Sequence, residues 1–183
     1  MIDLKKIDKS WTVFLDRDGV INNEKYMDYI NTWAEFKFLP GVKEAIKIFT
    51  EKIGNVFIIT NQRGVSKGVT KLEDLKLIHK NLIEEIAAAG GKITKVYFCC
   101  DMDDTSQNRK PNPGMGFQAK KEYPEVDFSK SIMIGNTISD MEFGRNIGAA
   151  INIFIPSTHP HLGVQHPMVD LVFSDLLSVS KAL

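Results

Sequence analysis

Two acidic residues separated by a single residue follow an apolar run near the start of the chain. Asp16 and Asp18 lie in the stretch Val13-Phe14-Leu15-Asp16-Arg17-Asp18-Gly19-Val20. Side chains of a strand alternate between its faces, so residues two positions apart start out on the same side. Two carboxylates about 4 Å apart repel by about 4 kcal/mol at an effective dielectric of about 20, and a magnesium ion between them would remove that repulsion. The alternative is an ordinary turn, since Asp and Gly are common turn residues.

Polar residues also follow three later stretches of the chain. Thr60 and Asn61 follow an apolar run that ends at Ile59, and Asn136 and Asp140 follow a run that ends at Gly135. Lys110 lies in a proline-containing loop that follows Cys99. Ligands of open parallel sheets bind beyond the carboxyl ends of the strands. If these runs are strands of one sheet, the polar groups meet at one edge with Asp16 and Asp18.

The elements that must position these groups alternate along the chain. Continuous apolar runs are typical of parallel strands that are buried on both faces. They predict strands at residues 11–16, 56–59, 93–99, 131–135, 150–155 and 169–173. Apolar residues at helical spacing predict helices between the strands, and Thr70 with Glu73 fits a capping box at the start of the second helix. The alternation predicts an α/β fold, a doubly wound three-layer sandwich with a central parallel sheet.

Length and charge narrow the function classes. The chain has 183 residues, which suits one domain spanning residues 1–183 with no large cap domain. Its 23 basic and 23 acidic side chains cancel, which argues against a nucleic-acid or membrane surface. No apolar stretch approaches the roughly 20 residues of a membrane span. We therefore expect a cytoplasmic protein, monomeric or weakly homodimeric.

Residues 22–39 form a long irregular connection after the first strand. The segment carries five aromatic residues, which are Tyr26, Tyr29, Trp33, Phe36 and Phe38. Connections longer than about 12–15 residues usually have a function or structure of their own. Two interpretations are open: the segment is a substrate-facing loop or flap, or its aromatic side chains fill the core.

The four polar motifs, in this order, resemble the haloacid dehalogenase (HAD) superfamily of phosphohydrolases. Three longer strings resemble its branch of histidinol-phosphate and heptose-1,7-bisphosphate phosphatases. These strings are residues 14–22 (FLDRDGVIN), 60–64 (TNQRG) and 109–115 (RKPNPGM). The resemblance implies a Rossmann-like fold and magnesium-dependent hydrolysis of a phosphomonoester through an aspartyl-phosphate.

The resemblance also implies roles for particular residues. Catalytic roles fall to Asp16 as the nucleophile, Asp18 as the acid and base, Thr60 and Lys110. Substrate or phosphate contacts fall to Asn61, Gln62, Arg63 and Arg109. The implied magnesium ligands are Asp16, Asp18 through its backbone carbonyl, Asn136 and Asp140. These roles suit the chemistry, since a carboxylate attacks a phosphate dianion only where cations offset the repulsion.

Two features depart from the family pattern. The family usually has Asp where this chain has Asn136, so the site loses one negative charge, which predicts weaker magnesium binding unless Asp140 compensates. Asn136→Asp is then predicted to tighten magnesium binding. Relatives in this branch often carry a Cys/His cluster before the lysine, whereas here Cys99 and Cys100 are followed by no Cys or His before Arg109. We therefore expect no zinc.

Three function classes follow. The first is a phosphatase acting on a small phosphorylated metabolite, with a sugar bisphosphate such as heptose 1,7-bisphosphate ahead of histidinol phosphate. The second is a nucleic-acid 3′-phosphatase, because such enzymes share the Thr60-Asn61-Gln62 type of motif; the zero net charge argues against it, and no nucleic-acid partner is expected. The third is a non-catalytic phospho-ligand binder, which the substitution at Asn136 suggests.

Overall fold

Six strands form a parallel sheet at the centre of the molecule. The computed structural model describes residues 2–25, 27–158 and 165–183, so Tyr26 lies outside the described residues. The strands are β1 (Thr12–Leu15), β2 (Asn55–Asn61), β3 (Lys95–Cys99), β4 (Ser131–Gly135), β5 (Ile151–Phe154) and β6 (Leu171–Val172). Their order is β3-β2-β1-β4-β5-β6, and every described pair is parallel. The chain order reverses at β1, where ligands of doubly wound sheets bind.

Five helices cover the two faces of this sheet. They are α1 (Val42–Lys52), α2 (Leu72–Ala88), α3 (Gly114–Glu122), α4 (Ile138–Ile147) and α5 (Leu176–Ala182). Side chains of β1 alternate between two apolar clusters: Leu15 packs in the cluster that contains Ile46 of α1, and Phe14 in the one that contains Phe143 of α4. Helices α1, α2 and α5 therefore lie on one face, and α3 and α4 on the other. The predicted doubly wound three-layer sandwich is confirmed.

The apolar runs form strands because helices bury them on both sides. All four residues of β1 are buried, as are all five of β4. Such strands read as continuous rather than alternating apolar sequence. The connections before α1 and before α3 contain neither a helix nor a named strand in their described residues. No helix in the described part of the chain is long and apolar enough to cross a membrane.

The predicted capping box at α2 is wrong. This helix is preceded by Lys71, which makes no side-chain cap hydrogen bond. The Thr70 hydroxyl instead donates to Asn31 Oδ1 at 2.5 Å. Thr70 therefore ties the end of its loop to the segment 22–39, and this long-range contact replaces the local cap.

The second half of the segment 22–39 fits the interpretation that its aromatic side chains fill the core, whereas the substrate-facing role of the segment stays a prediction. Its second half is packed into the core: Phe36 is buried, Trp33 stacks on it with ring centroids 5.0 Å apart, and Phe38 meets it edge-on. Asn22 forms an isolated antiparallel bridge with Phe38, which closes the segment into a loop. Its first half lies at the carboxyl edge of the sheet.

Candidate active site

A cavity of about 450 Å³ opens at the carboxyl edge of β1, β2 and β4. It is lined by the residues that follow these strands, by the loop before α3, and by residues 24, 25 and 28–30 of the segment 22–39. The predicted residues that it brings together are Asp16, Asp18, Thr60, Asn61, Gln62, Arg109, Lys110, Asn136 and Asp140. Arg63 is not among the lining residues.

The Lys110 ammonium joins two carboxylates at the bottom of this cavity. Its Nζ donates to Asp16 Oδ1 at 2.6 Å and to Asp140 Oδ1 at 2.5 Å. All three residues are buried. Burial opposes the charge on Lys110, but the carboxylates of Asp140 and Asp16 outweigh it and hold the Lys110 pKa above its ordinary value. Lys110 is thus a permanent cation next to the predicted nucleophile.

Asp16 itself holds its proton more tightly than an ordinary aspartate. Burial raises the pKa of Asp16 to about 7, with the Asp140 and Asp18 carboxylates adding to this effect and the Lys110 ammonium opposing it. One ammonium therefore does not balance the negative charge around Asp16. A further cation near this carboxylate would stabilise its ionised form.

The side chain of Asn61 holds the backbone of Lys110. Asn61 Nδ2 donates to the Lys110 carbonyl oxygen, and the Lys110 backbone N–H donates to Asn61 Oδ1, both at 3.0 Å. Asn61 is the last residue of β2. The position of the ammonium is thereby fixed to the end of a strand rather than left to its loop.

Four donors surround the carboxylate of Asp18. Arg17 Nη2 and Nε donate to Oδ1 at 2.8 and 3.2 Å, and Asn22 Nδ2 donates to the same oxygen at 2.9 Å. Gln62 Nε2 donates to Oδ2 at 2.8 Å. Burial works to raise the pKa of Asp18, but the Arg17 charge and the hydrogen bonds from Asn22, Arg17 and Gln62 hold it below its ordinary value. The carboxylate form of Asp18 is therefore favoured.

Arg17 is held in turn by a histidine. Its side chain is fully buried, and Nη1 lies 3.2 Å from His79 Nε2. Because an arginine only donates, His79 Nε2 accepts and the imidazole is neutral. Burial lowers the pKa of His79 to about 3, with the adjacent Arg17 charge contributing. The chain His79, Arg17, Asp18 thus runs from α2 to the cavity.

Thr60 keeps its hydroxyl hydrogen available. Gln62 Nε2 donates to Thr60 Oγ1 at 2.9 Å as well as to Asp18. A hydroxyl carries one hydrogen, and no acceptor for it is found among the described residues. Thr60 can therefore donate to an oxygen of a bound phosphate.

Asp140 forms the first turn of α4. Its Oδ2 accepts from the Thr137 backbone N–H at 3.0 Å, from the Thr137 hydroxyl at 2.8 Å and from the Asn136 backbone N–H at 3.2 Å. Thr137 and Asp140 form a capping box. With Oδ1 engaged by Lys110, both oxygens of Asp140 are in use. The magnesium-ligand role of Asp140 stays a prediction.

The Asn136 side chain is polarised by its neighbours. Nδ2 donates to Thr158 Oγ1 at 2.9 Å and to Glu24 Oε2 at 3.2 Å. Asn136 is completely buried, and its Oδ1 has no hydrogen-bond partner among the described residues. A buried carbonyl oxygen of this kind is a suitable ligand for a hard cation.

The two arginines share one carboxylate. Arg109 Nε donates to Asp104 Oδ1 at 2.9 Å, and Arg63 Nη2 donates to the same oxygen and to the Met102 carbonyl. Arg63 is thereby used to fasten the loop before Lys110 and does not line the cavity. Arg109 does line it, and its buried Nη1 has no partner in the described part of the chain.

The donor set of the cavity fits magnesium. The Asp16 carboxylate and the unpartnered Asn136 Oδ1 are oxygen donors that follow adjacent strands, and Mg²⁺ prefers oxygen ligands. These two side chains, with the backbone carbonyl of Asp18, would hold the ion. No group of three or more His, Cys, Asp or Glu side chains is placed to hold a metal within the described ranges.

Comparisons with known proteins agree with this geometry. A family model described as polynucleotide kinase 3 phosphatase matches residues 12–174. The chain belongs to this family. Relatives include the D-glycero-beta-D-manno-heptose-1,7-bisphosphate 7-phosphatase of Pseudomonas aeruginosa, 35% identical over 173 residues that cover 93% of this chain and 96% of the relative. The D-glycero-alpha-D-manno-heptose-1,7-bisphosphate 7-phosphatase of Mycobacterium bovis is 35% identical over 143 residues, which cover 76% of this chain and 74% of the relative.

A solved structure extends the family comparison. The D,D-heptose 1.7-bisphosphate phosphatase from B. bronchiseptica, complexed with magnesium and phosphate, superimposes with a TM-score of 0.84 at 26% identity and covers 93% of this chain and 96% of its own. The resemblance to the HAD superfamily and to its heptose-bisphosphate phosphatase branch is confirmed.

Several residues of the site were not predicted. Arg17 and Asn22 lie inside the first motif, so their position beside Asp18 was the available signal. His79 is one of the buried positions of α2, and a buried polar residue on an apolar helix face is a signal that periodicity alone treats as core. Glu24 and Thr158 lie in irregular loops, where no pattern points to Asn136.

Proposed function

We propose that the chain is a magnesium-dependent phosphomonoesterase that hydrolyses a small phosphorylated sugar, with heptose 1,7-bisphosphate as the preferred candidate. The Lys110 ammonium held between Asp16 and Asp140 in an open cavity is the observation that carries this proposal. Heptose-bisphosphate phosphatases that match most of the chain, one of them complexed with magnesium and phosphate, support it.

The reaction begins with attack of Asp16 on phosphorus. A bond forms between an Asp16 carboxylate oxygen and phosphorus while the bond to the leaving oxygen breaks, which gives an aspartyl-phosphate. Magnesium, which Asp16, Asn136 and the backbone carbonyl of Asp18 would hold, would supply positive charge that offsets the repulsion between the carboxylate and the phosphate. Lys110 and the Thr60 hydroxyl stabilise the negative charge that develops on those oxygens.

Asp18 transfers the protons in both halves of the reaction. In the first half the protonated carboxyl of Asp18, which is the less populated form because the Asp18 pKa is lowered, gives a proton to the leaving alkoxide. In the second half the Asp18 carboxylate takes a proton from water, whose oxygen attacks phosphorus and releases Asp16 and inorganic phosphate. Arg17, Asn22 and Gln62 keep the Asp18 carboxylate in place during both transfers.

The cavity supports a compact substrate. Its volume of about 450 Å³ falls within the range of small-molecule sites, roughly 300–1,000 Å³. We propose that residues 1–183 act as one phosphatase domain in which the segment 22–39 faces the substrate. We propose that Arg109, which lines the cavity, binds a second anionic group of the substrate through its guanidinium.

A panel of phosphate esters tests the proposal. Phosphate release from heptose 1,7-bisphosphate, other sugar phosphates and histidinol phosphate is measured with magnesium for the wild type and for Asp16→Asn. We expect the highest catalytic efficiency on a sugar bisphosphate and loss of turnover in Asp16→Asn, which keeps the shape of the side chain and removes the nucleophile. The proposal is overturned if Asp16→Asn still releases phosphate, or if the wild type hydrolyses none of the esters.

A nucleic-acid 3′-phosphatase is the second candidate, because the description of the matching family names that activity. Among the described residues that line the cavity, however, six carry carboxylates and three carry cationic side chains, which disfavours a polyanionic strand. Turnover of a 3′-phosphorylated oligonucleotide that falls steeply with salt would favour this candidate. Turnover confined to small esters and insensitive to salt supports the sugar phosphatase.

A further inference from the structure

We propose that Glu24 and Thr158 position the Asn136 side chain so that its carbonyl oxygen replaces a carboxylate as a cation ligand, and that Glu24 supplies the negative charge that the usual aspartate would carry. The inference rests on the proposed function, since it concerns the magnesium site of the same cavity. Glu24 and Thr158 are positioning residues here, because they act through Asn136.

The hydrogen bonds fix which end of the Asn136 amide faces which way. Thr158 Oγ1 donates to Glu24 Oε2 at 2.6 Å, which uses the one hydrogen of its hydroxyl. Both groups within reach of the amide, the Thr158 oxygen and the Glu24 carboxylate, therefore act as acceptors toward Asn136. An amide oxygen in that place would face two oxygens with no hydrogen between them. The NH₂ group must lie on this side, and Oδ1 on the other.

Close packing prevents the amide from rotating. A methyl group at Gly19 would lie 2.1 Å from Asn136 Nδ2 and 3.0 Å from Thr158 Oγ1. Gly19 has φ +82°, a left-handed conformation that favours glycine. The turn after Asp18 thus rests directly on the Asn136 amide, and Ser157 Oγ donates to the Gly19 carbonyl at 2.6 Å. The Asn136 Oδ1, which has no partner among the described residues, is consequently held in one orientation.

The Glu24 carboxylate also supplies a negative charge near the position where the neutral Asn136 lacks one. Asn136 is neutral, but the carboxylate of Glu24 lies 3.2 Å from its Nδ2, so a negative charge remains one residue further from the cation. An aspartate at position 136 would place a second carboxylate against Glu24, and like charges that close repel. The benefit expected from Asn136→Asp should therefore appear fully only when Glu24 has lost its charge.

Binding of Mn²⁺ to the substrate-free protein tests the inference without any activity measurement. The dissociation constant is measured by electron paramagnetic resonance of free Mn²⁺, and far-UV circular dichroism verifies folding. We expect Glu24→Gln to weaken binding about tenfold, the lower end of the effect of groups that orient a ligand, because Glu24 is exposed. Thr158→Val removes the hydroxyl without changing the size of the side chain and should weaken binding less.

Asp28→Asn is the matched control. Asp28 lines the same cavity and loses the same charge, but it has no hydrogen bond to Asn136. We expect its dissociation constant for Mn²⁺ to equal that of the wild type. Equal weakening in Asp28→Asn and Glu24→Gln would mean that general charge, not the contact with Asn136, matters, and would overturn the inference.

A double variant completes the test. Glu24→Gln with Asn136→Asp should bind Mn²⁺ at least as tightly as the wild type, whereas Asn136→Asp alone should gain less than it gains in the Glu24→Gln background. Strictly additive changes overturn the inference, as does wild-type binding in both Glu24→Gln and Thr158→Val. A wild type that shows this binding pattern but hydrolyses no phosphate ester overturns the proposed function and leaves the inference standing.

Discussion

Replacing His79 by Gln is expected to remove a weakness of the fold at acidic pH. His79 is buried on α2 and accepts a hydrogen bond from Arg17 at 3.2 Å. Burial lowers its pKa to about 3, from an ordinary value of 6.5. Between these values the unfolded chain binds a proton at His79 and the folded chain does not. The free energy of unfolding therefore decreases as the pH falls from 6.5 toward 3.

The size of the effect follows from the two pKa values. Protonation of the unfolded chain at His79 costs the wild type about 0.2 kcal/mol at pH 7 and about 2 kcal/mol at pH 5. Gln accepts from Arg17 through its carbonyl oxygen and does not titrate. Asp16, whose pKa is raised to about 7, acts in the opposite direction: its contribution to stability is present at low pH and is lost as the pH rises through 7. Both proteins contain Asp16, so this contribution cancels in their difference.

The measurement is urea unfolding of both proteins followed by circular dichroism, with EDTA present, at pH 5, 6 and 7. The difference between their free energies of unfolding should change by about 2 kcal/mol from pH 7 to pH 5, in favour of His79→Gln at the acidic end. A difference that stays constant with pH would refute the reasoning, because it would mean that His79 titrates alike in the folded and unfolded chains.

Three further predictions concern the cavity. Lys110→Met should lower kcat at least about 100-fold. It should also lower the free energy of unfolding by about 3–5 kcal/mol, since it leaves two buried carboxylates without their cation. Steady-state kinetics and urea unfolding measure the two effects, and an unchanged kcat would contradict the prediction. Magnesium affinity should fall about tenfold per pH unit below about pH 7, because Asp16 must lose its proton; calorimetric titrations at several pH values measure it, and a flat profile argues against Asp16 as a ligand. Asn61→Ala should cost about 1–3 kcal/mol of stability, measured by urea unfolding, and an unchanged midpoint would mean that the Lys110 loop does not need Asn61.

The sheet and the set of polar residues that meet in the cavity could be predicted because both follow from strand ends. Buried parallel strands leave uninterrupted apolar sequence, so the bounds of β4 match the prediction. Residues that follow such strands gather at one edge, and the side chain of Asn61, the last residue of β2, holds the backbone of Lys110 at this edge. The predicted capping box at the start of α2 was wrong because the Thr70 hydroxyl donates to Asn31, which is distant in the sequence. The contact of Glu24 with Asn136 was not predicted for the same reason, because the two residues are 112 positions apart.

The hold of Asn61 on Lys110 has a consequence for how this site can diversify. Asn61 pairs with Cys99 in the sheet, and the neighbouring Gln62 backbone N–H donates to the Cys99 carbonyl at 2.6 Å. Both ends of the loop from Cys99 to Lys110 are therefore anchored at Asn61, the last residue of β2. Insertions or deletions between these anchors would reshape the rim of the pocket and alter which esters enter, while the ammonium keeps its place.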